Sequence, residues 1–206
     1  MVVIERHTRR TPQQERSRAK VQATLDAAAA LIEAEGPDGV TTKSVASEAG
    51  FSVGTIYNYF ESVDAIFDAL VDRHVEKYLG EIRTLLEEND FADLGEAVVA
   101  VFDLSVRFFR RERGFRRLWF HTGAFDRYRK ATQGDRNIFR ALNDAYRGAG
   151  LLASAPERAD LDRLVTWTYG SSLLELAFAM DPKGHEGVLE RARALVRSGA
   201  MTLDAR

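Results

Sequence analysis

Between Thr42 and Tyr59 the chain gathers, among other polar groups, the hydroxyls of Thr42, Ser52 and Thr55, the phenols of Tyr57 and Tyr59, the carboxamide of Asn58 and the ammonium of Lys43. Their shared chemistry is hydrogen bonding to oxygen and to planar polar edges. A carboxamide carries a paired donor and acceptor that match adenine, and a threonine hydroxyl bonds either a phosphate or a base edge. Phenols reach phosphate oxygens, and such contacts set register without carrying sequence information. Together these side chains suit a surface that reads nucleic acid.

Such a surface needs rigid support, and the spacing supplies it. The segment TTKSVASEAGFSVGTIYNYF reads as two short helices joined by a glycine turn. The first is expected over 42–49, capped by Thr41 or Thr42, and Gly50 suits the left-handed position that ends it. Ser52 then caps a second helix expected over 53–60. Ala46 is small enough to let the two helices cross closely, while Val45, Ala49, Ile56 and Phe60 face inward. That leaves Ser52, Val53, Gly54, Thr55, Tyr57, Asn58 and Tyr59 on or near the outer surface, with Thr42 and Lys43 at the start of the supporting helix. A helix held this way can enter the major groove. A glycine-turned helix pair also occurs as plain core packing.

Apolar residues elsewhere recur every three or four positions, which predicts an all-α chain of about nine helices. A first helix is expected over about 13–35 on the stripe Val21, Leu25, Ala28, Leu31 and Ile32, ended by Gly36-Pro37-Asp38-Gly39. Ser62 caps a long helix with the stripe Ile66, Phe67, Leu70, Val71, His74, Tyr78 and Ile82. Asp93 and Glu96 have capping-box spacing ahead of a helix to about Arg113, which Gly114 is expected to stop. A short piece follows over 115–121, then one or two helices over 124–147 with Gly134 as an interruption. The last two helices are expected over about 156–180 and 185–203. The predicted organisation is a basic arm and helix-turn-helix domain over 1–62, a connecting helix over 63–86, and a larger helical domain over 87–206.

Composition excludes several classes of chemistry. There are no cysteines, hence no disulfides, thiolate metal sites or cysteine nucleophiles. The four histidines, His7, His74, His121 and His185, show no metal-ligand spacing with one another or with carboxylates. No phosphate-cradling glycine loop and no GxSxG is present, so no enzymatic role, metal or cofactor is expected. No apolar run reaches the ~18 residues of a membrane span, and the first residues lack the apolar core of a signal peptide; a cytoplasmic location is expected, with no membrane partner. The net charge is only −2, yet between residues 6 and 20 Arg6, Arg9, Arg10, Arg16, Arg18 and Lys20 stand against Glu15 alone. That arm can attract phosphate although the whole chain is slightly acidic. On charge alone it also reads as a solvated terminus.

The stretch TTKSVASEAGFSVGTIYNYFESVDAIFDAL resembles the DNA-binding segment of the TetR family of regulators. The Thr pair, the small residue in the supporting helix, the glycine turn and the run Gly-Thr-Ile-Tyr-x-Tyr-Phe are all present. The preceding helix and GPDGV agree, so the likeness covers roughly residues 15–80. One position departs. Where the family carries a phosphate-gripping lysine at the start of the fourth helix, this chain has Val63; the basic arm is the expected substitute.

The resemblance implies a sequence-specific DNA-binding transcriptional regulator, a homodimer on a near-palindromic operator in double-stranded DNA, released by a small molecule. A DNA-binding dimer with no inducer, or an activator, fits the same residues. It also implies a ligand-binding and dimerisation domain from about residue 85. Phe102, Phe109, Trp119, Phe120, Phe125, Tyr128 and Trp167 are the expected lining for a small apolar or aromatic effector. His121 is either a hydrogen-bond donor to that ligand or a core histidine. Glu175, among leucines, is either a polar pocket anchor or a helix-edge residue. The last two helices are expected to pair with their twins, Gly170-Ser171-Ser172 permitting close approach.

Overall fold

The computed structural model describes residues 15–121, 134–152 and 157–204. Among these residues the secondary structure is helical, in nine α-helices and one 3-10 turn: α1 (Glu15–Glu35), the turn Pro37–Gly39, α2 (Thr42–Glu48), α3 (Val53–Tyr57), α4 (Val63–Glu88), α5 (Leu94–Arg111), α6 (Arg113–His121), α7 (Gly134–Gly148), α8 (Glu157–Met180) and α9 (Glu186–Asp204). The basic residues of the arm before Glu15 lie outside the described residues, as do Phe125 and Tyr128.

The chain forms two compact units that do not follow chain order. The described part of the first holds residues 15–77, 112–121 and 134; that of the second holds residues 78–111, 135–152 and 157–204. A sequence reading cuts the chain into consecutive blocks, so it places α6 with the C-terminal part. The structure groups α6 with α1 instead.

In the first unit, Val21, Leu25, Ala28 and Ile32 of α1 are fully buried, following the helical period, whereas Leu31 is half-buried. Val45, Ile56, Phe60, Ile66, Leu70 and Leu118 of the same unit are also sealed from solvent. Burying each Leu, Ile or Phe contributes roughly 1.5–3 kcal/mol. α6 docks on α1 through Gly114: a methyl there would sit 3.3 Å from the Ala29 carbonyl oxygen and 3.6 Å from Ile32 Cγ2. Gly114 is therefore a close-approach residue inside α6, not the stop of α5, which ends at Arg111. Arg117 of α6 donates from Nη1 to the carbonyls of Ile32 (3.2 Å) and Glu33 (3.3 Å). A cation thus meets carbonyls of the last turn of α1, where the helix dipole is negative.

The second unit is built on longer spans. Ile82, Leu94, Ala97, Val106, Phe108, Ala177, Phe178, Leu189, Ala192 and Val196 form its core. Phe109 packs on Phe178, ring centroids 5.8 Å apart. Arg193 Nε donates to Asp103 Oδ1 at 2.6 Å, and Arg110 Nε to the Lys183 carbonyl at 2.7 Å. α8 is apolar on more than its buried side: Val165, Tyr169, Leu176 and Met180 are exposed, and so is Leu195 of α9.

Candidate nucleic-acid interface

Local hydrogen bonds shape the helix-turn-helix. Thr41, rather than Thr42, caps α2: its Oγ1 accepts from the Ser44 amide (3.1 Å), and Ser44 Oγ accepts from the Thr41 amide (2.9 Å). This reciprocal capping box fixes the entry of the helix. At its far end Gly50 adopts φ 69°, and the Phe51 amide returns to the Ala46 carbonyl at 2.9 Å. Only a residue without a Cβ enters that conformation at no steric cost. Ser52 Oγ then accepts from the Thr55 amide at 3.2 Å and caps α3.

α3 is shorter than the spacing suggests. Its helix ends at Tyr57, and the chain finishes in a tight turn, with the amides of Tyr59 and Phe60 both donating to the Ile56 carbonyl at 2.9 Å. Ile56 and Phe60 have no exposed surface, and Val45 and Ala46 of α2 are buried as well. Ala49, expected inside, is half-buried.

On the opposite side Lys43, Ser52, Gly54, Tyr57 and Asn58 are exposed, while Thr42, Val53, Thr55 and Tyr59 are half-buried. The hydroxyls are not equivalent. Ser52 Oγ and Thr55 Oγ1 lie 2.9 Å apart and bond each other, so part of their capacity is spent on the cap. Asn58 and Lys43 have no such local engagement among the described residues, which leaves the carboxamide and ammonium available for an external partner. At the start of α4, Ser62 Oγ accepts from the Ala65 amide at 3.1 Å, and half-buried Val63 opens the helix with no charge to offer.

Further along α4 lies a cluster that the sequence pattern does not expose. His74 is buried, its ring stacked on Phe115 at 4.8 Å, and Phe115 meets Trp119 at 5.0 Å. Nδ1 lies 2.8 Å from the Leu70 carbonyl, to which it donates, and Nε2 lies 3.6 Å from Glu112 Oε2. Lys77 Nζ holds the other oxygen of Glu112 at 2.7 Å. Burial holds the imidazole below its ordinary 6.5; the Leu70 carbonyl and Glu112 pull it up, Arg73 and Lys77 pull it down. Glu112 lies 38 residues from His74 (112 − 74) in the sequence, too far for a helical period to signal the pairing.

The residues expected to line a pocket are divided. Trp119 and Phe120 are half-buried in the first unit. Phe102 and Phe109 are buried in the second, with Trp167 half-buried, its ring 6.4 Å from Phe139. Glu175 is exposed, on the helix-edge side of the two roles open to it. His121 ends α6, and its side chain lies outside the described residues, with Phe125 and Tyr128. Among the described residues no group of three or more His, Cys, Asp or Glu could hold a metal ion, and no helix is long and apolar enough to cross a membrane.

A capped supporting helix, a glycine turn and a short second helix with its polar side outward define a helix-turn-helix regulator of transcription. Comparison with known proteins makes the assignment specific. Residues 25–70 match the family described as bacterial regulatory proteins, tetR family. Residues 92–201, more than half of the chain, match the tetracyclin repressor-like C-terminal domain. The chain belongs to the TetR family and is a DNA-binding regulator, not an enzyme. It is similar to a TetR-family transcriptional regulator from Streptomyces coelicolor, 26% identical with a TM-score of 0.72 over 89% of this chain and 99% of that one. An uncharacterised helix-turn-helix regulator from the dhlA 5′ region of Xanthobacter autotrophicus is 38% identical over 61 residues, only 30% of either chain. The fold is shared with RolR, solved in complex with resorcinol, at a TM-score of 0.60 and 19% identity over 89% of this chain and 93% of that one.

Proposed function

We propose that the protein is a dimeric repressor that holds a near-palindromic operator and lets it go when a small apolar or aromatic molecule binds the second unit. The observation that carries this reading is the exposed apolar stripe of α8, where Val165, Tyr169, Leu176 and Met180 recur at helical spacing on a side left uncovered among the described residues. A contiguous apolar strip of this kind calls for a partner surface, and a second copy offers the same strip under two-fold symmetry. Two heads so related would address major grooves about 34–36 Å apart. Within each head Asn58 reads a base edge and Tyr57 reaches a phosphate oxygen, with Gly54, next to Val53, letting the backbone approach. Thr42, Lys43, Ser52, Thr55 and Tyr59 contact the backbone.

The effector part rests on the family and on the fold shared with RolR, whose solved complex contains resorcinol. α4 is a single helix belonging to both units, so a ligand that prefers one setting of its Tyr78 end shifts the population of head positions. The test is selection of bound duplexes from a randomised pool at two salt concentrations, followed by sizing of the complex. One enriched near-palindrome bound by two copies is expected. Patternless binding that disappears at higher salt, or a monomer on the site, would overturn the reading.

A further inference from the structure

His74 of α4 lies buried in the first unit, and its contacts change sense with one proton. A carbonyl can only accept, so the 2.8 Å bond to Leu70 places the neutral ring's proton on Nδ1 and leaves Nε2 bare. That bare nitrogen faces Glu112 Oε2 at 3.6 Å. With no proton between them, a lone pair and a carboxylate oxygen hold nothing together. The ring keeps its place by burial and by its parallel stack on Phe115, with 4° between the two planes. A second proton would make Nε2 a charged donor to Glu112. It would also put a cation into a buried site flanked by two others. Arg73 is held on α1 by Asp26 at 2.6 Å and Gln22 at 3.3 Å, and Lys77 holds Glu112 Oε1 at 2.7 Å. Phe115 and Trp119, the rings that α6 brings to the cluster, offer no charge. Burial is the largest influence, and it opposes the proton.

Glu112 is more than a counter-charge. Its carbonyl accepts from the Arg116 amide at 2.9 Å, the bond that opens α6. α6 in turn seats on α1 through Gly114 and Arg117, and α1 packs on α2 of the helix-turn-helix. α4 itself follows directly on the turn that closes α3. The His74 layer therefore belongs to the packing that holds the reading head. We propose that the His74–Glu112 contact makes DNA binding sensitive to protons: in weak acid a second proton on His74 loosens α6 from α4, and the head gives up its site. The neutral ring fits the described packing, whereas the protonated ring is favoured wherever its nitrogen reaches water. Falling pH therefore shifts the population away from the packing that supports the head. The device works within the first unit and needs no effector.

The experiment measures binding of the full-length protein to its enriched duplex from about pH 7.5 to about pH 5.5, the span over which histidine changes charge. Ionic strength is held constant, and wild type is compared with His74→Phe, Glu112→Gln and Lys77→Gln. The His74 imidazole is followed by NMR in the free protein, its signal assigned by its loss in His74→Phe. Wild-type affinity is expected to fall about fivefold or more, the low end of ordinary coupling between sites. The midpoint should lie below 6.5 and track the His74 signal. His74→Phe should flatten the profile. Glu112→Gln removes the anion that favours the proton and should move the midpoint down, whereas Lys77→Gln removes a cation that opposes it and should move the midpoint up. These two variants test the proposal even where His74→Phe does not fold, since a general loss of stability would not move the midpoint in opposite directions. His7, His121 and His185 are present in all four proteins, so any slope they add is common to them. A wild-type profile that is flat or rises in acid would overturn the proposal. So would a fall that survives in His74→Phe, or a midpoint that Glu112→Gln and Lys77→Gln leave in place.

Discussion

The reading head and the body of this regulator are held in shape by opposite means. Over residues 41–60 the decisive bonds join neighbours: Thr41 with Ser44, Ser52 with Thr55, and Phe51 back to Ala46. In the second unit they join distant segments, Arg193 with Asp103 and Phe109 with Phe178. Two glycines show the same contrast. Gly50 has φ 69°, and a methyl there would meet nothing within 4 Å, so its role is conformational. Gly199 of α9 is helical, and a methyl there would lie 2.6 Å from Thr166 Oγ1 on α8, so its role is steric. The head is specified by local geometry and the body by close approach between helices far apart in sequence.

The comparison breaks most readily at Phe60, the fully buried anchor between the local head and the surrounding core. Phe60→Ala is expected to cost about 3–5 kcal/mol in denaturant unfolding, with operator binding lost. A cost below about 1 kcal/mol would mean that the capped turns sustain the head without it. Next comes Gly199→Ala, expected to destabilise by roughly 1–3 kcal/mol through overpacking against Thr166. Gly199→Asn should be worse, since the fault is volume. Gly50→Ala should cost about 1–2 kcal/mol for a left-handed alanine, and here Gly50→Asn should recover much of the loss, because asparagine tolerates that conformation. If Asn rescued neither or both, the conformational-versus-steric distinction would fail.

The smallest effect is a pH slope. Burial lowers the His74 pKa below its unfolded 6.5, so between the two values the unfolded chain binds more protons than the folded one. The stability His74 contributes is therefore present above pH 6.5 and is lost as pH falls through that window, levelling off below the folded value. His74→Phe should flatten this part of a plot of melting temperature against pH. A slope unchanged by the substitution would assign it to other groups.

These differences also explain what is legible in the sequence. The caps at Thr41, Ser52 and Ser62, the turn at Gly50 and the inward Val45, Ile56 and Phe60 are local or periodic, and a single stretch of sequence displays them. The spacing overstates the length of α3 because Phe60 continues the helical period while the backbone has already tightened at Ile56. Gly114 reads as a stop because only α1, far back in the chain, reveals why a side chain cannot stand there. Aromatic crowding draws attention to Trp119 and Phe120, whereas the pairing of His74 with Glu112 gives no sign: the two lie on different helices, too far apart in sequence for a helical period to link them.

The return of α6 to the first unit bears on how the protein is made. A ribosome releases the chain from its N-terminus, so α1, α2 and α3 emerge well before Phe115 and Leu118 exist to cover the Ile32 side of α1. The intervening α5 belongs to the other unit. Neither unit can therefore be finished before the other has begun. A gene cut after α4 would encode every residue of the helix-turn-helix yet leave the seat of Gly114 on α1 bare to water.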